Sequence, residues 1–144
     1  MSRAADIARD WIGTPYVHQA SCRGAGCDCL GLIRGVWRDL FGREPVVPPA
    51  YTRDWAESGG RETLLEAART FLVERDVQDA VPGRVLLFRM REGGVAKHLG
   101  IVTVPGPAPR FVHAYSGRAV CETSLSRPWH RRVVAAFDFP EEIT

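Results

Sequence analysis

Between Cys29 and Phe41 the apolar residues fall at 29, 32, 33, 36, 37, 40 and 41, which is one face of a helix. Asp28 stands just before that run, where a carboxylate caps the free N–H groups of a first turn, and Gly42 stands just after it, where a left-handed residue closes a helix. Ala4, Ile7, Ala8, Trp11 and Ile12 mark a shorter amphipathic helix, with Ser2 as its cap and Gly13 as its stop. A third helix is expected from about Glu62, with Leu64, Leu65, Ala68, Phe71 and Leu72 on one face. Val17 to Ala25 reads as a polar loop, Pro45 to Ala50 as an irregular stretch and Gly59-Gly60 as a turn.

After Pro82-Gly83 the pattern becomes that of strands. Arg84–Met90, His98–Val104, Arg110–Tyr115, Ala119–Thr123 and Val133–Phe139 are the candidates, separated by Gly- and Pro-bearing turns. The links are too short for crossover helices, so antiparallel pairing is expected. Helices first and strands afterwards predict an α+β fold, with N-terminal helices packed on an antiparallel sheet of about five strands. No repeat or long linker divides the chain, so residues 1–144 are expected to form a single domain.

Composition narrows the function. With 45% hydrophobic and 25% charged residues the chain reads as globular, and a net charge of +2 gives no reason to expect direct nucleic-acid binding. The weak basic cluster at Arg127, Arg131 and Arg132 leaves room for an acidic polymer or a partner surface. Met1 to Gly13 lacks the basic start and apolar run of a secretory signal, and no stretch reaches membrane-spanning length. Synthesis in the cytoplasm is therefore the expectation, with any work outside it requiring lysis or delivery by a larger assembly. The four cysteines, Cys22, Cys27, Cys29 and Cys121, are then read as core thiols, metal ligands or a nucleophile rather than a disulfide framework.

A nucleophilic thiol needs a base within reach and a third group to orient that base. Cys29 begins a helix, where unpaired N–H groups favour a thiolate. His98 and His113 lie on successive strand candidates that can set them side by side, and Gly100 allows close packing beside His98. The helix start would then need to lie against the face that carries both histidines. Two other readings stay open. His18, Cys22, Cys27 and Cys29 offer a zinc-type ligand set, though Cys-x4-Cys-x-Cys is not a familiar spacing. Trp37, Trp55 and Trp129, with Pro48 and Pro49, offer a docking surface for a structural role. Cys121 is expected in the core.

Taken together, Trp11-Ile12-Gly13-Thr14-Pro15-Tyr16, Gly26-Cys27-Asp28-Cys29-Leu30-Gly31-Leu32, Val81-Pro82-Gly83 with Leu87-Phe88, His98-Leu99-Gly100-Ile101-Val102 and Val112-His113-Ala114 resemble the NlpC-type cysteine peptidases of bacterial cell walls, which are papain-like in fold. The motifs come in the family's order. The short Gly-Cys-Asp-Cys-Leu-Gly signature is most similar to the branch encoded with phage tails and gene transfer agents. The resemblance implies that Cys29 is the nucleophile, His98 the general base and His113 the orienting third member. It implies that Tyr16, with the Cys29 N–H, helps hold the oxyanion, and Asp28 is grouped with these positioning residues. The implied substrate is a peptidoglycan stem peptide, commonly cut between D-glutamate and a diamino acid, with no metal or organic cofactor. The implied setting is a phage-like particle acting in the periplasm or cell wall, with tail or baseplate proteins as partners. Two departures stand out. Leu30 follows the nucleophile where many members have Ser, and the loop before Cys29 is rich in thiols. Asp28 beside Cys29 would oppose thiolate formation unless its charge is spent on backbone N–H groups.

Overall fold

The computed structural model describes residues 2–45 and 62–140. Pro48, Pro49, Trp55 and the Gly59-Gly60 turn lie outside the described residues. The elements in chain order are α1 (Arg3–Asp10), β1 (Ser21–Cys22), β2 (Gly26–Cys27), α2 (Cys29–Phe41), α3 (Thr63–Phe71), β3 (Val73–Arg75), β4 (Val85–Arg89), β5 (Ala96–Val104), β6 (Arg110–His113), β7 (Cys121–Ser124), α4 (Arg127–His130) and β8 (Val133–Asp138). The main sheet runs β3-β8-β4-β5-β6-β7, and every pairing between these strands is antiparallel. The fold is α+β, as the order of elements predicts.

The caps form where the sequence places them. Ser2 Oγ accepts the Ala5 N–H at 3.1 Å, and Gly42 closes α2 with a φ of 84°. Leu32, Ile33 and Val36 are fully or almost fully buried on α2. In α1 the apolar face departs from expectation at its end: Ala5 is buried, whereas Ile12 is 46% exposed. The helix ends at Asp10 and Trp11 is its C-cap, so the helical period no longer governs position 12. Phe71, the last residue of α3, is also left partly exposed.

The sheet has six strands where about five are expected. The extra one, β3, is three residues long, exposed throughout and held at the edge by β8, so it carries no alternation that a sequence could show. The polar loop before α2 likewise contains the two-residue hairpin strands β1 and β2. Strand alternation divides the core in two. Val85, Leu87, Leu99, Ile101, Val112, Ala135 and Phe137 face α1 and α2 and merge with Trp11, Leu32 and Val36. Leu86, Phe88, Val102, Phe111, Leu125 and Ala136 form a second cluster on the other face, against which Trp129 of α4 packs.

Candidate active site

The start of α2 is built by Asp28. This side chain is buried, and its two oxygens accept the N–H groups of Gly31 at 2.7 Å and Gln19 at 2.8 Å. His18 Nδ1 lies 3.8 Å from the same carboxylate. Asp28 therefore ties the helix to the loop that feeds it, which places it as the scaffold of the Cys29 turn. Gly31 is required by the same packing, because a Cβ there would lie 1.9 Å from the Ala20 carbonyl oxygen. Tyr16 is half-buried against the core, and its backbone bridges to that of Cys27, two residues before Cys29.

Cys29 is the first residue of α2 and is half-buried. Its helix does not lie against the face that carries His98 and His113, as the sequence reading expects. Those histidines share the face of Phe88, Phe111 and Trp129, whereas α2 packs on the opposite side. The thiol instead reaches the rim of β5. Strand β6 pairs with β5 only from Gly100 onward, opposite His113, so the backbone at Lys97–Leu99 extends past the end of β6. The sulfur takes up that edge: Sγ donates to the Lys97 carbonyl at 3.6 Å, and the Leu99 N–H points at it. Cys29 thus flanks the backbone of His98 from the plane of the sheet.

The two imidazoles are brought together as the strand register predicts. His98 Nε2 and His113 Nδ1 are 2.8 Å apart, with the rings nearly edge to face. Gly100 makes the arrangement possible, since a Cβ there would come within 2.7 Å of the Phe111 ring. His113 Nε2 is 3.0 Å from Thr123 Oγ1, which in turn lies 3.5 Å from Cys121 Sγ. Trp129 walls the pair, its ring centroid 5.0 Å from that of His113 and 5.7 Å from that of His98, and Tyr115 stacks on His113. Trp129 therefore belongs to the histidine pocket rather than to a docking surface. Arg132 sits 5.7 Å over its ring and, with Arg131, lines an open cleft of about 830 Å³, which is where most of the weak basic cluster lies. Trp37 packs on Phe41 and Phe139. Thr123, Phe88, Phe111 and Tyr115 are neighbours of the histidines that the sequence reading missed. Phe111 and Tyr115, two residues to either side of His113 along the chain, were the neighbours that the sequence hinted at.

Electrostatically the site rests neutral. Burial pushes the Cys29 thiol up to about 12, and the Asp28 charge adds to this despite its engagement with backbone N–H groups. The N–H groups of Leu99, Leu30 and Cys29 itself pull in the other direction without prevailing. Burial drives His98 down to about 3, helped by His113 and Lys97, and burial alone takes His113 down to about 4. The thiolate expected at the helix start is thus outweighed in the resting state. Among the described residues, no three His, Cys, Asp or Glu side chains gather as metal ligands, so the His18, Cys22, Cys27 and Cys29 set is not assembled. Cys22 is exposed while Cys27 is fully buried, and Cys121 is only half-buried.

Solved structures similar in fold include NlpC/P60 proteins. The chain is similar to a lipoprotein-like NLP/P60 family protein of Staphylococcus aureus, with 21% identity and a TM-score of 0.59 over 96% of this chain and 41% of that one. It is similar to the NlpC/p60 domain of the peptidoglycan hydrolase SagA, with 24% identity and a TM-score of 0.60 over 94% and 96% of the two chains. It is also similar to NlpC1 from Trichomonas vaginalis, with 22% identity and a TM-score of 0.62 over 97% and 44%. The chain spans about two fifths of the length of the first and third and nearly all of the second. No protein-family model matches the chain, and no curated protein matches it in sequence. The fold is that of the NlpC/P60 domain.

Proposed function

We propose that this protein is a cysteine peptidase that hydrolyses peptidoglycan stem peptides, with Cys29 as nucleophile, His98 as general base and His113 as the group that orients it. The observation that carries the reading is the sulfur of Cys29 lodged on the β5 edge beside His98, whose Nε2 is bonded at 2.8 Å to His113 within an NlpC/P60 fold. Because Nε2 of His98 is committed, Nδ1 is the nitrogen that receives the thiol proton. In the resting state that proton is shared with the Lys97 carbonyl, so the thiol turns from that oxygen to His98 as substrate arrives.

The steps then follow from neutral partners. Sγ attacks the scissile carbonyl carbon as its proton passes to His98 Nδ1. The C–N bond breaks, the amine leaves with that proton, and a thioester remains. Water attacks the thioester, giving its proton to His98, and the carboxylic acid departs as the thiol is restored. The Cys29 N–H at the helix start and the Tyr16 hydroxyl hold the oxyanion. The bond cut is that between D-glutamate and the diamino acid of the stem. The setting is a phage-like particle, in which local wall digestion helps DNA cross the envelope; the Gly26–Gly31 signature supports this, and no described helix is long and apolar enough to cross a membrane.

Purified protein incubated with defined stem peptides, followed by mass spectrometry, tests the chemistry. The expected products are a fragment ending in D-glutamate and one beginning with the diamino acid, both absent with Cys29→Ala. Intact substrate after prolonged incubation with the wild-type protein overturns the reading. Proteomics of purified particles tests the setting, and absence of the chain from them overturns it.

A further inference from the structure

We propose that Thr123 is a positioning residue that sets the tautomers of both histidines and so keeps Nδ1 of His98 bare for the thiol proton. The inference rests on the proposed roles of Cys29, His98 and His113. A neutral imidazole carries a single N–H, and its other nitrogen only accepts. If His98 is to accept at Nδ1, its proton must sit on Nε2 and be donated to His113 Nδ1, 2.8 Å away. His113 then accepts at Nδ1, so its own proton sits on Nε2 and must be donated onward. The atom placed to receive it is Thr123 Oγ1, at 3.0 Å.

Thr123 must in turn send its hydroxyl hydrogen elsewhere. Cys121 Sγ is 3.5 Å from that oxygen, and its sulfur can accept the hydrogen. The reverse direction fails chemically. A hydroxyl donating to His113 Nε2 would place a proton on Nδ1 of His113, then on Nδ1 of His98, and the base would already be occupied. The chain of bonds therefore has one productive polarity, and Thr123 is its far anchor. The register accounts for the placement: Cys121 pairs with His113 and Thr123 with Phe111, which puts both side chains on the histidine face while Glu122 turns to the other and meets Arg9. A threonine in a strand ordinarily serves side-chain packing. Here the bond to a buried ring nitrogen distinguishes it.

Two-bond 15N–1H correlation spectra of the full chain, labelled at histidine, test the proposal directly. The wild type is expected to show Nε2–H on both His98 and His113; Nδ1–H on either ring overturns the proposal with no variant needed. Thr123→Val keeps the shape and removes the hydroxyl, and is expected to populate Nδ1–H on both rings, whereas Thr123→Ser restores the wild-type pattern. The accompanying kinetics should show kcat about tenfold lower in Thr123→Val with KM unchanged, below the ~10⁴-fold cost of a fully wrong tautomer in a serine triad. Ring patterns in Thr123→Val identical to the wild type overturn the role of Thr123 even if activity changes. Tautomers that shift as expected in a wild-type protein lacking hydrolytic activity uphold the ordering by Thr123 and overturn the peptidase reading instead.

Discussion

The face of the sheet that meets α1 and α2 is mostly aliphatic, with Val85, Leu87, Leu99, Ile101 and Val112 closing on Trp11, Leu32 and Val36. The opposite face carries rings: Phe88, Phe111 and Trp129, with His98 and His113 set among them. Both faces exclude water. The difference is that the helix-covered face is filled mainly by aliphatic side chains, with Thr103 bonded to Glu122 toward its edge, whereas the aromatic face holds two imidazoles linked by a hydrogen bond to each other and onward to Thr123. Burial among rings is also what keeps both histidines neutral. The aliphatic face holds the fold, and the aromatic face sets the protonation state on which the proposed chemistry depends.

That contrast can be broken most strongly at His98. His98→Ala should lower hydrolysis by about 10²–10⁴-fold while the circular dichroism spectrum stays that of a folded chain, since general acid–base catalysis is lost but not the aliphatic core. A variant of near wild-type rate would detach the aromatic face from the chemistry. Paired truncations come next. Phe88→Ala and Leu87→Ala are each expected to cost about 2–5 kcal/mol in urea unfolding, yet only Phe88→Ala should move the His98 pKa back toward its ordinary range in an NMR titration. Equal pKa effects from both would show that the faces do not differ in this way. Gly100→Ala sharpens the point, because the new methyl meets the Phe111 ring, and a loss of about 1–3 kcal/mol is expected.

The pH dependence of stability follows from the same burial. His98 and His113 bind protons in the unfolded chain near 6.5 but in the fold only near 3 and 4, so stability is full above about 6.5 and falls as the pH drops through that window. The Cys27 and Cys29 thiols keep their protons to about 12 in the fold, against 9.0 ordinarily, so stability declines again as the pH rises from 9 toward 12. Thermal melts across the range should therefore show a plateau near neutrality, and Trp129→Ala should shorten its acidic limb by opening the histidine pocket to water. The smallest effect is expected at the rim. Arg9 of α1 bonds Glu122 of β7 at 3.0 Å with both side chains partly exposed, and Arg9→Ala should change stability by no more than about 1 kcal/mol.

Much of this was legible from local pattern. The Cys29–Phe41 helix, its Asp28 cap and its Gly42 stop follow from periodicity and capping chemistry, which involve only neighbours in the chain. Antiparallel pairing of the successive strands β4 to β7 and the closeness of His98 and His113 follow from short turns and register, whereas the return of β8 to the far side of β4 does not. The three-residue β3 did not, since a single valine between polar residues has no periodic signature. Nor did Trp129, whose place over the histidines depends on a short helix that folds back across the sheet.

By itself, then, the sequence determined the three longer helices, the longer strands, and which thiol begins a helix. The tertiary structure decided on which side of the sheet that helix rests. In β5 nearly every residue from Ala96 to Thr103 is buried, so alternation cannot say which face is covered by helices and which by rings. Only the assembled sheet shows β6 ending at His113 and leaving the Lys97–Leu99 rim for the Cys29 sulfur. Where a strand ends relative to its neighbour is a property of two segments together, and neither segment records it alone.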